Sequence, residues 1–377
     1  MKNSTHEQLK EIIKMYYKAK LSLFIAGTFG IGKSYVVADT SEEIGKSQSR
    51  TPVNWNKLSY EQRNEVLANP EKYFVLIDIR LSEYDSTDLR GLPDFYQDKS
   101  SIIWKSPFWT KALEHPKSAG ILFFDEVNLA EQSTLKSCFK IFYDRQINEG
   151  SISPNWIVLS AGNLESDRSF VQELPYPLKD RVGEVQLLEG THDSWINWAI
   201  AHGIDYRIIG FIQFSPSKLR VVNFDDNQKP TTERGWELLS VLIKDEEDYR
   251  KLDLIVGTRI GEGVAREFLA FCKIKDVVQL DKIIANPEEF KKVNQIDMKY
   301  FVVSAIAEHY GKGNKVDFKK LLDISSVLDE MASPEFITLM WRLSVKYNPT
   351  KFRKDFQTKE LDNPLRAKYN KFLMPNV

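Results

Sequence analysis

The chain has 377 residues, 42% apolar and 28% charged, with a formal net charge of −1. That length asks for two or three domains, and the composition excludes a disordered or fibrous protein. Near-neutrality excludes an overall electrostatic bias toward nucleic acid or anionic lipid.

Two cysteines, Cys138 and Cys272, make neither a disulfide framework nor a zinc cluster and fit a reducing compartment. The opening "MKNSTHEQLKEIIKMYYKAK" interleaves charged with apolar residues, unlike a secretory signal. No apolar run approaches the roughly 20 residues that span a bilayer. The expectation is a cytoplasmic protein with no membrane partner.

Along the chain, Leu9, Ile12, Ile13, Tyr16 and Tyr17 recur at helical spacing, so residues 1–20 are expected as a leading helix, with a capping-box-like start at Ser4 and Glu7. Five short apolar runs follow: "LSLFIAG", "YFVLIDI", "AGILFFDE", "WIVLSAG" and "GEVQLL". Such runs suggest strands buried on both faces, hence a parallel sheet with helices between. Residues 1–190 therefore read as one α/β domain. From Trp195 onward the pattern is helical, with no further strand-like run. From Arg342 to the end, nine Lys/Arg face three Asp/Glu, a basic tail that reads as a solvated surface or as a docking site for an acidic partner or nucleic acid.

The chemistry concentrates in a few places. "GTFGIGKS", Gly27 to Ser34, follows the first apolar run and precedes a helix beginning near Lys33. This is the phosphate-loop pattern G-x-x-x-x-G-K-[ST] in its strand–turn–helix setting. Glycines let successive backbone N–H groups face phosphate oxygens, and the helix N-terminus adds positive potential. Gly27, Thr28, Phe29, Gly30, Ile31, Gly32, Lys33, Ser34 and Tyr35 are thus the expected nucleotide contacts. Lys33 would bridge the β- and γ-phosphates and Ser34 would ligate Mg²⁺.

"ILFFDEVN" places Asp125 at a strand end, suited to the Mg²⁺ shell through water or directly, and Glu126 beside it, suited to orient or deprotonate the attacking water. Alone, an acidic pair there also serves as a helix cap. "LSAGN" puts Asn163 at the next strand end, where an amide can bond a γ-phosphate oxygen or the attacking water; an Asn after Gly is also a common turn residue.

In order, the phosphate loop, "FFDEVN", "LSAGN", "LPYPLKDRV" and "TTERGWELLS" resemble the MoxR-like branch of AAA+ ATPases, related to midasin and dynein-type modules. The resemblance covers nearly the whole chain. "IDIRLSEYDSTDLRGLPDF" looks like the branch's segment after the second strand, and "GTHDSWINWAIAHGI" like the start of its lid.

The resemblance implies a five-stranded sheet of order 5-1-4-3-2, a helical lid over 191–275, a helical extension over 276–377, and a hexameric ring holding ATP and Mg²⁺ between neighbouring copies. It makes Arg181 a finger reaching the adjacent subunit's nucleotide and Arg234 a lid arginine touching its own. A salt bridge of Arg181 with Asp180 or Glu184 is the plainer alternative. The branch usually has Thr-Pro-Arg where this chain has Thr232-Glu233-Arg234, and Gly-Pro-Pro-Gly where it has Gly-Thr-Phe-Gly. Trp104, Phe108 and Trp109 fall where the branch carries an inserted element, and are read as pore-facing or as core-packing or subunit-contact residues.

The function implied is an ATPase that remodels a protein partner, one bearing a von Willebrand A-type domain by analogy with the branch. Two rivals stand beside it: a nucleic-acid-acting or nuclease-associated NTPase, and a scaffold that binds nucleotide without turnover.

Overall fold

The computed structural model describes residues 1–95, 99, 101–164, 167, 172–223, 229–244, 246, 248–357, 365 and 368. The chain forms two compact units, Met1–Gly190 and Thr191–Val377.

The first unit starts with a three-residue strand, β1 (Lys2–Ser4), and helix α1 (His6–Ala19). Its capping box is formed by Thr5 and Gln8, one residue later than the Ser4/Glu7 pair expected. Then come β2 (Leu23–Ala26), α2 (Lys33–Ser47), β3 (Thr51–Asn54), α3 (Tyr60–Ala68), β4 (Tyr73–Arg80) and α4 (Ser86–Arg90). A hairpin of β5 (Leu92–Phe95) and β6 (Ile102–Lys105) leads to α5 (Lys111–Glu114), β7 (Ala119–Asp125) and α6 (Gln132–Asp144). After a second small hairpin, β8 (Gln146–Ile147) and β9 (Gly150–Ser151), the unit closes with β10 (Trp156–Gly162), α7 (Tyr176–Lys179) and β11 (Gly183–Leu187).

Seven strands form one parallel sheet in the order β1-β11-β2-β10-β7-β4-β3. The five apolar runs occupy its middle in the order 5-1-4-3-2. The expectation of five strands is corrected by one further strand at each edge. Both lack the sequence signal for a physical reason: an edge strand need not bury both faces. β1 is "KNS" and β3 is "TPVN", whose Pro52 is tolerated because an edge position need not donate to a second ladder. The stretch 45–70, polar in sequence, carries β3 and α3.

Alternation along the strands sorts the core into two layers. Leu23, Ile25, Phe74, Leu76, Ile121, Phe123, Leu159 and Ala161 pack against α1 and α2. Phe24, Val75, Ile77, Leu122, Phe124 and Val158 pack against α3 and α6. In the aromatic region, Phe108 stacks on Tyr60, Trp109 is buried, and Trp104 on β6 is 43% exposed.

The second unit is helical from α8 (His192–Ala201) to α18 (Pro349–Gln357). A single apolar cluster runs from Trp195 to Leu365. Within it, α9 (Tyr206–Phe214) carries Arg207, whose guanidinium pairs with Asp205 at 2.7 Å and donates to the carbonyls of Ile243 and Glu246 at 2.8 Å each. That clamp satisfies a buried charge that would otherwise be costly. Most of the basic tail's charge after residue 357 lies outside the described residues. No helix among the described residues is long and apolar enough to cross a membrane.

Both thiols are buried, and desolvation pushes the Cys272 thiol up to about 12 and the Cys138 thiol higher still. Reactivity needs the thiolate. A thiol-titrating disulfide reagent at pH 8 should therefore find neither cysteine in the native protein and both after denaturation. Stoichiometric labelling of the native protein would contradict this packing.

Candidate functional site

The site is assembled at the C-terminal ends of β2, β10, β7 and β4. Residues 27–32 leave β2 and turn into α2, with Gly30 at φ 77° and Gly32 at φ 92°. Side chains other than glycine are strained there, which explains the glycines at these two positions. The turn is tied down on several sides. Gly27 N–H donates to the carbonyl of Gly162 at 3.2 Å, Phe29 N–H to Asp167 at 3.2 Å, and the His6 ring bonds the carbonyl of Ile31 at 2.7 Å. Ile31 itself is buried in the α1/α2 layer, while Tyr35 is exposed. The first N–H groups of α2 have no partner within the helix and face the mouth of the turn.

Lys33, only 8% exposed, folds back across this turn. Its ammonium donates to the carbonyls of Gly27 at 2.7 Å and Thr28 at 2.9 Å, and to Oδ1 of Asn163 at 3.0 Å. Asn163 is positioned in turn by Asn128. Its carbonyl accepts from Asn128 Nδ2 at 2.8 Å, and its N–H donates to Asn128 Oδ1 at 3.1 Å.

Ser34 Oγ donates to Asp125 Oδ2 at 2.5 Å. A hydroxyl and a carboxylate meeting at one point suit a hard divalent cation, which takes oxygen ligands. Glu126 follows in the left-handed region, φ 54°, which turns its side chain away from the strand direction. Its carboxylate accepts a 2.5 Å hydrogen bond from Ser82 Oγ, and Arg80 Nε lies 4.0 Å away.

Lys33, Ser34, Asp125, Glu126 and Asn163 are thus brought to one mouth. Arg181 is not. It follows α7 at the lead-in to β11, and the register pairs Gly183 with Leu23 and Gln186 with Ala26. The loop begins only after Ala26, so Arg181 lies at the opposite end of the sheet, roughly 15 Å or more away at about 3.3 Å per residue. It is exposed, with its guanidinium 4.5 Å from the centre of the Tyr143 ring. Among the described residues it makes no ion pair with Asp180 or Glu184.

Arg145 donates to the backbone carbonyls of Ser153 and Trp156 at 3.0 and 2.7 Å. In the second unit, Arg234 is exposed on the first turn of α10 (Glu233–Ile243). The neighbouring Glu233 pairs with Arg220 at 2.8 Å.

Asp78 was not singled out by its sequence, yet it belongs to this mouth. It continues the Phe74–Leu76 face of β4, as Asp125 continues the Ile121–Phe123 face of β7. Burial, and then the Asp125 carboxylate, push the Asp78 carboxyl up to about 6 against the opposing pull of Arg80. The signal was an acid inside the apolar run "VLIDI", in step with the buried residues of one face.

No family model and no curated protein matches the chain. Solved structures align over most of it at low similarity. A variant of Thermotoga maritima RuvB is 13% identical over 80% of this chain and 88% of its own, with a TM-score of 0.30. C. elegans PCH-2 is 12% identical over 79% and 67%, with a TM-score of 0.27. A T. maritima protein related to the γ subunit of DNA polymerase III is 11% identical over 98% of each chain, with a TM-score of 0.29. Strand order, loop conformation and the acidic strand end define the class directly: an α/β fold of the phosphate-loop type, followed by a helical unit.

Asn128 is 5% exposed and holds both backbone groups of Asn163. Truncation would leave those groups unsatisfied, at about 1–3 kcal/mol. Asn128→Ala should lower unfolding free energy by that amount in denaturant titrations. A loss below about 0.5 kcal/mol would show that Asn163 is held by something else.

Proposed function

We propose that this chain is a Mg²⁺-dependent ATPase of the AAA+ class, hydrolysing ATP at interfaces between copies in a ring. The observation that carries the reading is the convergence of Lys33, Ser34, Asp125, Glu126 and Asn163 on one mouth beneath the N-terminus of α2. The backbone N–H groups of the turn bind phosphate oxygens. Lys33 exchanges its carbonyl partners for β- and γ-phosphate oxygens. Mg²⁺, held by Ser34 and Asp125, would neutralise charge on the phosphates. Glu126 takes a proton from the attacking water, and the Ser82 hydrogen bond orients its carboxylate. Asn163 donates its amide N–H to the γ-phosphate or accepts from the water.

Arg181 is the finger for a neighbouring copy. Its distance from its own loop, its exposure and the lack of an ion pair to a carboxylate among the described residues all favour action in trans. Such fingers are worth about 10³–10⁵ in rate. Arg234 reads its own subunit's nucleotide, with the negative charge of Glu233 engaged by Arg220. The helices over 191–275 act as the lid and those over 276–377 as an extension. In this reading the ring is hexameric and of MoxR-like type, working in the cytoplasm to remodel a protein client, one with a von Willebrand A-type domain by analogy with the branch.

A complementation assay tests the shared site. Lys33→Ala and Arg181→Ala should each abolish turnover alone, and mixing them should restore part of it, because some neighbours then build a complete site. No recovery in a mixture shown by cross-linking to co-assemble would refute the trans role of Arg181.

A further inference from the structure

Besides Asp125 and Glu126, the phosphate mouth holds a further carboxylate, that of Asp78, with no part in binding phosphate or activating water. Asp78 and Asp125 stand on the same face of adjacent strands, two residues out of step in the register: Asp78 pairs with Phe123 and Arg80 with Asp125. Strand spacing and rise put their α-carbons about 8 Å apart, within reach of one hydrated cation. Asp125 is satisfied within the protein, by Ser34 and by the N–H of Glu126 at 2.9 Å. Asp78 is half-buried, and no described residue donates a hydrogen bond to its carboxylate. Arg80, the nearby cation on the same strand, directs its guanidinium to Glu83 at 2.9 Å and toward Glu126. A partly buried carboxylate facing a second one is a stability cost without a visible return.

The backbone at Asp78 is nonetheless fixed with care. β3 ends at Asn54, and the side chain of Asn56 then continues the ladder. Asn56 Nδ2 donates to the carbonyl of Asp78 at 2.7 Å, and Asp78 N–H donates to Asn56 Oδ1 at 3.0 Å. This clamp comes from the polar stretch 45–70, which gains a role: it pins the strand at the position that bears the unpartnered acid.

We propose that Asp78 is a further positioning residue of the site, its carboxylate accepting hydrogen bonds from water molecules bound to the divalent cation beside Asp125. This rests on the phosphate-site reading above and names a residue that reading lacks. An outer-shell partner of this kind typically changes metal affinity by about 10–100-fold. Asp78 would also raise the site's preference for nucleotide that arrives with its cation over nucleotide without one, since two carboxylates repel bare phosphate.

Asp78→Asn keeps the shape and removes the charge. Two measurements on the full chain at pH 8 decide the matter: thermal unfolding without metal or nucleotide, and calorimetric titration of ADP with EDTA or with Mg²⁺. Metal-free Asp78→Asn should unfold at the wild-type temperature or above it, because a repulsive carboxylate has gone. Its ADP affinity in EDTA should equal or exceed wild type, while the gain in affinity from Mg²⁺ falls by about tenfold or more. A lower unfolding temperature would make Asp78 a structural residue and overturn the proposal. An undiminished Mg²⁺ gain in the variant would overturn it too, leaving the phosphate-site reading intact. If wild type binds no ADP at all, both fall together.

Discussion

A buried ammonium group ties the first unit's working parts together. Lys33 reaches across a turn of glycines to two carbonyls and to the amide of Asn163, so the loop after β2 and the end of β10 are fastened to one another. That fastening is possible only because the sheet places β10 beside β2 and because Gly30 and Gly32 adopt left-handed backbone. Around it a hydroxyl, an amide and the carboxylates of Asp125, Glu126 and Asp78 gather without any one element supplying them all. The mouth is a product of strand order: β10, β7 and β4 deliver Asn163, Asp125 and Asp78 on the same face because their alternation is in phase.

Much of this was legible beforehand, for reasons that also explain what was not. A strand buried on both faces must be apolar throughout, so the five central strands announced themselves as runs, and the loop carried its own spacing. β1 and β3 had no such obligation. Their polar sequences look like connection, and only the hydrogen-bond ladder makes them strands. The helix start moved by one residue because Ser4 is drawn into the edge strand, leaving Thr5 to cap. Asp78 carries little signal in the sequence, since one acid within an apolar run reads as noise until its neighbours' faces are known. Asn56 and Asn128 act through amide pairs with backbone distant in sequence, and nothing local marks such residues.

The arginines divide by environment rather than by sequence. Half-buried Arg145 and buried Arg207 both donate to backbone carbonyls. Arg181 has a plausible carboxylate on either side and bonds neither, resting on the face of Tyr143 instead. A guanidinium parked on a ring gives up only about 0.5–1 kcal/mol on leaving an exposed contact of this kind. It is available in a way that an ion-paired arginine is not.

The central claim is that a triphosphate and its cation occupy the mouth closed by Lys33. A crystal structure with Mg²⁺ and a non-hydrolysable ATP analogue tests this most directly. The account expects Lys33 Nζ within hydrogen-bond distance of β- or γ-phosphate oxygens, with the metal bound to Ser34 Oγ. Nucleotide bound elsewhere, with Lys33 still on the carbonyls of Gly27 and Thr28, would contradict it.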